Sequence, residues 1–551
     1  MEFKRSDTKK VFFSGVLLLS VSTVLVKIIG LIYKIPMLSY LGSEGMGYFN
    51  SAYEIYALFC IIATAGLPVA LSVLISEARA KGHTSAIRRI YRASVCIFLV
   101  LGILGTLLMW IFADAFCTWI KSESAYDCIL SIAPTVFFVC VSSAIRGYFQ
   151  GFQRMLPTAL SQLIEAVGKL LFGLLFAHIA LECGAATGQI AAAAGWGLTL
   201  GTALSTLYLL IEKRRCTEPL NDWEESQKVG LVGYRDVWRS LGRLAIPMTL
   251  GASLVSLTKL IDMAMILRRL QSIGYSEVAA NEAYGSYTTL ALSVFGLLPT
   301  LLNSIALPLV PMLSAAIASG DSEKQKQMVE TSYRLSAFFA IPSAIGISAF
   351  ARPVLLLLFQ NEPQAVMIAS PLLSLLGISV FLSCMITATN SVLHAYQSVK
   401  QPILSMAVGA GLKILVSYIL IGIPSVGLMG APISSFFCNG AVVLMNLHFA
   451  SKKCGMISVK KIFVRPLVIS CAAIGIAFGI YLSLIGRYGE DSIVSISCIF
   501  LAVVLYLLIS CFCGGVSEED IRALPMGEKV FSMMTHLRGY IFHGRAQKEK
   551  K

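Results

Sequence analysis

Apolar runs of about eighteen residues or more recur from Val11 to Cys513, separated by polar connections. Each is long enough for a helix to cross a hydrocarbon core roughly 30 Å thick. Unpaired backbone groups are not tolerated against lipid, so such runs predict α-helices. Strands of a membrane barrel would be about ten residues long and strictly alternating. The pattern predicts spans at 11–33, 48–77, 91–113, 128–149, 157–181, 185–211, 244–268, 284–315, 332–358, 365–393, 402–422, 429–450, 462–485 and 492–513. The expected fold class is an all-α polytopic membrane protein with about 14 transmembrane helices.

Several features recur at a nearly constant offset. Lys27, in LVKIIG, precedes Gly42 by fifteen residues, and Lys259, in LTKLID, precedes Gly274 by fifteen, an offset of 232. Leu67-Pro68 and Gly82 match Leu307-Pro308 and Gly320 at offsets of 240 and 238. FQRMLP with Pro157 and Lys169 matches YQSVKQP with Pro402 and Lys413 at 245 and 244. Three matches in one order predict two pseudo-symmetric six-helix lobes plus two C-terminal helices. Because both copies begin on the same side, they are parallel repeats, with a site expected between them near the midplane. The expected division is an N-lobe at 1–212, a cytoplasmic linker at 213–243, a C-lobe at 244–450, helices 13 and 14 at 451–513 and a polar tail at 514–551.

Charge orients this arrangement. The net charge of +14 would suit nucleic acid, but position decides its meaning. With the amino terminus inside, the tails, the even-to-odd connections and the span ends that adjoin them hold 34 of the 44 Lys and Arg, the opposite side holds six, and four lie deep inside spans. Such an asymmetry is the signature of cytoplasmic loops, and it predicts cytoplasmic termini and no nucleic-acid partner. With 13% charged residues and a mean hydropathy of +0.77, a water-soluble domain of 551 residues is excluded. The opening MEFKRSDTKK and its long apolar run, ending without a small-residue cleavage site, read as a retained first helix. The tail from Ser517 to Lys551 suits the anionic inner leaflet.

The four intramembrane cations are Lys27, Lys169, Lys259 and Lys413. Facing lipid, four lysines would cost roughly 10 to 14 kcal/mol on insertion scales, so they are expected to face a cavity or a partner. The repeat makes Lys27 equivalent to Lys259 and Lys169 to Lys413. Local pairing is the alternative, since Glu165 lies four residues before Lys169 and Asp262 three after Lys259. Lys27 and Lys413 have no acid at those spacings and are the sharper candidates for substrate binding. Glu54 sits inside helix 2, Arg352 is placed to snorkel at the outer end of helix 9, and Arg146 and Arg154 flank RGYFQGFQRMLP, where positive-inside topology alone would favour them and gating or substrate capture is the functional alternative. A basic, hydroxyl- and aromatic-lined cavity suits an anionic amphipathic cargo such as a pyrophosphate.

Other chemistries find less support. No G-x-x-x-x-G-K-[ST] loop is present, so ATP hydrolysis by this chain is not indicated and transport energy must come from elsewhere, with a coupling ion and the membrane potential both open. The fourteen cysteines form no C-x-x-C pair and no ligand grouping with the six histidines, so neither metal nor cofactor is expected. A transferase acting on polyprenyl phosphate would need paired acids at the membrane face. Glu218, Asp222, Glu224 and Glu225 lack such a spacing, and no enzyme activity is expected.

K-x-x-G at Lys27–Gly30, GLP at Gly66–Pro68, RGYFQGFQRMLPTALSQLIEAVGK, IPMTLGASL and ALPLVPMLSAA together carry a resemblance. Over roughly residues 10 to 510 the chain resembles the stage V sporulation protein B and lipid II flippase branch of the multidrug/oligosaccharidyl-lipid/polysaccharide exporter superfamily. The resemblance implies a V-shaped pair of lobes with a central cationic cavity in the bacterial cytoplasmic membrane. It also implies alternating access that moves undecaprenyl-pyrophosphate-linked saccharide, either lipid II or a polysaccharide repeat unit, from the inner to the outer leaflet for cell-wall or polysaccharide synthesis. The family's basic position in helix 1 maps to Lys27, and Lys34 falls where that branch often has a charged residue. Several positions described as arginine in lipid II flippases are Lys or apolar here, and a lysine lacks the arginine fork, so the saccharide stays open. A cation-coupled drug antiporter of the same superfamily is the competing reading; it would need a cavity dominated by carboxylates.

Overall fold

The computed structural model describes residues 2–81, 84–216, 233–306, 313–314, 317, 321–398, 400–455 and 459–512, and every regular element among them is helical. The first, α1 (Glu2–Thr64), has 63 residues. At 1.5 Å per residue that is about three bilayer cores in length, so it cannot be one span. Gly42, at φ 65° and ψ 176°, divides it. The connection expected at 34–47 is therefore helical apart from one glycine in a conformation that a side chain disfavours.

The span expected at 48–77 is also corrected. It breaks at Ala65 and Gly66, and α2 (Leu67–Ala80) restarts with Pro68 in its first turn, where the missing N–H leaves no intrahelical bond unmade. Then come α3 (Thr84–Ile111), the short α4 (Ala113–Ile120), α5 (Tyr126–Gly151), α6 (Leu156–Glu182) and α7 (Thr187–Arg215). Next are α8 (Tyr234–Ser272), α9 (Glu277–Ser286), a π-helical turn at Tyr287–Ala291 and α10 (Leu292–Ala306). After these stand α11 (Ser322–Ala349), α12 (Ala351–Leu358), α13 (Pro363–Ala395), α14 (Lys400–Ile421), α15 (Gly430–Cys454), α16 (Val459–Tyr488) and α17 (Ser492–Phe512).

The span expected at 332–358 is likewise two pieces, since α11 and α12 are bent by 79°. Most of the expected 213–243 linker, with its four acids, lies outside the described residues. So do Gly82, Leu307-Pro308, Gly320 and the tail. Among the described residues eleven helices are long and apolar enough to cross a bilayer, or twelve if the bent pair is one span. Val21–Ala80 is a single one of these. Its division at Gly42, together with α9–α10, makes the architecture consistent with fourteen.

The helices gather into two compact units. The first holds the described residues up to Ser293 together with Ile414–Ala431; the second holds Val294–Lys413 and the described residues from Pro432 on. In the first, small and hydroxyl residues bring helices close, as expected where lipid gives no hydrophobic drive between them. Thr135 and Ser142 on α5 bond to Thr199 and Thr206 on α7 at 2.6 and 2.8 Å, both pairs seven residues apart. α1 and α9 cross so closely that a Cβ at Gly285 would collide with the Ser43 carbonyl, and one at Gly47 with the Asn281 backbone. Gly285→Val is accordingly expected to destabilise the protein by about 2 kcal/mol, as overpacking does. Thermal unfolding in detergent checks this, and an unchanged midpoint would refute the crossing.

In the second unit, Val329, Tyr333, Ala337 and Ile341 of α11 pack with Met385, Ala388 and Val392 of α13. The last two helices close on α11: Tyr506 donates to the Phe338 carbonyl at 2.7 Å, and Phe350 packs with Ile474, Tyr481 and Cys498. Arg352 does not snorkel unaccompanied but pairs with Glu490 at 2.7 Å.

Internal geometry repeats as the sequence does. Gly42 and Gly274 both have positive φ, 65° and 105°. Gln153 and Gln397 are non-glycine residues at φ 61° and 57°, each closing a helix end. Gln153 N–H bonds to Gln150 O and Arg154 N–H to Phe149 O; Gln397 N–H bonds to His394 O and Ser398 N–H to Leu393 O, all at 2.9 Å. A shared unfavourable backbone state at an offset of 244 is harder to reach by chance than a shared residue type.

Candidate functional site

Lys27 and Lys34 lie two turns apart on α1 and therefore share a face. Lys27 is exposed and Lys34 half-buried; Lys169 on α6 is half-buried and Lys259 on α8 exposed. Four lysines from three helices converge: Lys27 is within electrostatic range of Lys259, and Lys34 within range of Lys169, Glu54 and Lys27. All five residues belong to the first unit.

Lys34 donates to the Ser293 hydroxyl at 2.8 Å and to the Thr288 carbonyl at 3.4 Å. That carbonyl is within reach because the chain at Tyr287–Ala291 is wound as a π-turn, a widened form that frees backbone groups and is frequent at functional sites. Asn50 fixes the turn by donating to the Thr288 and Thr289 hydroxyls at 2.8 and 2.9 Å.

Lys169 is not paired with Glu165. Its ammonium lies over three rings, 4.9 Å from the centroid of Tyr53, 5.0 Å from Tyr33 and 5.6 Å from Phe49. Glu165 pairs with Arg146 at 2.8 Å, and Arg146 also donates to the Ser161 and Ser205 hydroxyls at 2.9 and 3.3 Å. Arg146 thus serves the interior of the α5–α6–α7 bundle, whereas Arg154 meets the Cys216 sulfur at 3.0 Å; the two arginines of the RGYFQGFQR segment part company. Among the described residues Lys259 makes no ion pair with Asp262, which accepts from the Ser417 hydroxyl at 3.4 Å. Lys413 is half-buried on α14, in the second unit.

Sequence reasoning found the lysines and missed what holds them. Asn50, Thr288 and Ser293 gave no signal, because nothing in TTLALS announces a π-turn. Phe49 and Tyr53 stand at i and i+4, one helix face, beside a membrane-embedded lysine; that spacing could have flagged an aromatic seat. A second such seat, Lys213 over Tyr91 at 3.1 Å and Tyr148 at 5.2 Å, was equally unforeseen.

The cluster offers clustered positive charge, hydroxyls and ring faces. That combination can hold a polyanion at the membrane interior, while no group of three or more His, Cys, Asp or Glu placed to hold a metal occurs among the described residues.

Comparison with known proteins places this geometry in context. The family model described as "Polysaccharide biosynthesis protein" matches residues 12–317, and the MatE model matches 247–419. The chain is 27% identical to the stage V sporulation protein B of Bacillus subtilis (strain 168), covering 94% of this chain and 98% of that protein. It is 23% identical to the lipid II flippase MurJ of the same organism, over 81% and 82% of the two chains. A structure of lipid II flippase MurJ in an inward closed conformation superposes with a TM-score of 0.68 at 15% identity, covering 90% of this chain and 98% of the other. An inward-facing multidrug resistance MATE transporter superposes with a TM-score of 0.62, covering 80% and 98%.

Proposed function

Since this chain belongs to the polysaccharide biosynthesis protein family, a branch of the multidrug/oligosaccharidyl-lipid/polysaccharide exporter superfamily of membrane transporters and flippases, we propose that it carries a polyprenyl-pyrophosphate-linked saccharide from the inner to the outer leaflet of the bacterial cytoplasmic membrane. The observation that carries this reading is the convergence of Lys27, Lys34, Lys169 and Lys259 inside membrane-spanning helices. A cationic drug would be repelled there. A pyrophosphate would find ammonium donors, and charge-assisted bonds of that kind are about twice as strong as neutral ones.

In this reading Lys27 and Lys259, the two exposed members and the two equivalents in the repeat, hold the pyrophosphate from opposite copies. Lys34 and Glu54 shape the field, and Arg146, Glu165 and Asp262 keep the helices in place. The protein is a transporter of its cargo, not an enzyme acting on it, and both termini are cytoplasmic. Depleting the protein in its host and measuring carrier lipids by mass spectrometry is expected to show one undecaprenyl-pyrophosphate saccharide accumulating on the inner leaflet. Unchanged carrier-lipid pools after depletion would overturn the reading.

A further inference from the structure

Glu165 stands one turn before Lys169 on α6, a spacing at which Glu and Lys pair on a helix face. The fold prevents that contact, although Glu165 stays within electrostatic range of Lys169. Glu165 is held by Arg146 at 2.8 Å, and Lys169 lies over Tyr53, Tyr33 and Phe49 at 4.9, 5.0 and 5.6 Å.

These two ways of stabilising a lysine leave different fields behind. A carboxylate turns the ammonium into half of a dipole, whose effect on a third charge is small. Ring faces stabilise it through their quadrupole and carry no net charge, and the carboxylate within range of Lys169 is already matched by Arg146, so the charge of Lys169 still acts on an anion nearby. Lys169 is within electrostatic range of Lys34, so the charge kept in the aromatic seat adds to the field of the lysine cluster.

Packing rather than hydrogen bonding sets the seat. Tyr33 is 2% exposed and its hydroxyl has no hydrogen-bond partner. Its room is provided by Gly173, where a Cβ would stand 2.9 Å from the ring and the hydroxyl. Phe49 and Tyr53 stack at 6.3 Å on the second half of α1, and Tyr53, at 36% exposure, is the open wall.

We propose that Tyr33, Phe49 and Tyr53 are specificity-determining residues that hold Lys169 away from Glu165, so that its charge stays available to a pyrophosphate-bearing ligand at Lys27, Lys34 and Lys259. The inference rests on the reading of the cluster as a pyrophosphate site. It makes a prediction that mere packing does not: losing the seat is equivalent to losing the lysine.

The test is equilibrium binding of radiolabelled farnesyl pyrophosphate to the full chain in lipid nanodiscs. Lys169→Met is expected to weaken binding about 10-fold, the scale of one unit charge at a partly screened site. Tyr53→Leu is expected to weaken it to a similar extent, and Tyr53→Phe, which keeps the ring face, to recover it. The double variant Lys169→Met/Tyr53→Leu is expected to bind no worse than Lys169→Met alone, because both changes remove one interaction.

Multiplying effects in the double variant would show that Tyr53 touches the ligand itself and would overturn the inference, as would wild-type affinity in Lys169→Met. Either result leaves the pyrophosphate reading standing. No binding by the wild type sinks that reading first and this inference with it. Should Tyr53→Leu not fold, Tyr53→Met, also without a ring face, completes the same cycle.

Discussion

Replacing Lys27 and Lys259 together by alanine is expected to reduce translocation of an undecaprenyl-pyrophosphate-linked saccharide in proteoliposomes by about 100-fold or more. That magnitude corresponds to the loss of two hydrogen bonds to a charged group, each worth about 1.5 to 3 kcal/mol. Both side chains are exposed, neither makes an ion pair among the described residues, and the two ammonium groups lie within range of mutual repulsion. Removing them therefore relieves repulsion in the empty protein and leaves no group stranded. Membrane insertion and thermal stability should be unchanged or slightly raised. A double variant that inserts normally and still flips at the wild-type rate would remove the lysine cluster from the mechanism.

Arg146→Ala is expected to have the opposite profile, a large loss of stability. Its guanidinium joins α5 to Glu165 and Ser161 of α6 and to Ser205 of α7, with side-chain exposures of only 14% and 26% for Arg146 and Glu165. Truncating one partner of such a pair leaves a poorly solvated charge and costs about 3 kcal/mol or more. Thermal unfolding should show a drop of several degrees, and Arg146→Ala/Glu165→Ala should recover much of it. A freed Glu165 also lies one turn from Lys169, so Arg146→Ala should weaken pyrophosphate binding even in protein that stays folded. A single variant as stable as wild type would refute the network.

Much of this molecule was legible in the chain because its causes are local or periodic. Span length, the sidedness of Lys and Arg and the cost of a lysine in lipid were enough to mark Lys27, Lys169 and Lys259. The repeat was readable for a backbone reason that residue types only hinted at: Gly42 and Gly274 take positive φ, and Gln153 and Gln397 take the same left-handed state.

What could not be read was partner choice. Helical spacing offered Glu165 to Lys169 and Asp262 to Lys259, but tertiary packing delivered Glu165 to Arg146 from another helix and Lys169 to three rings. Hydropathy also smoothed over breaks that cost little apolar length. The 79° bend between α11 and α12 and the interruption at Gly66 both fall inside continuous apolar runs. The π-turn that seats Lys34 is a one-residue change in winding, which composition does not register.

The central claim is that an anionic lipid-linked cargo, not a cation, uses this basic interior. Its most direct measurement is transport by the purified wild-type protein in proteoliposomes, with an undecaprenyl-pyrophosphate-linked saccharide and a fluorescent cationic drug assayed side by side. The account predicts that the pyrophosphate lipid reaches the opposite leaflet in a Lys27-dependent manner and the drug is not moved. Movement of the drug alone, unaffected by Lys27→Ala, would contradict it.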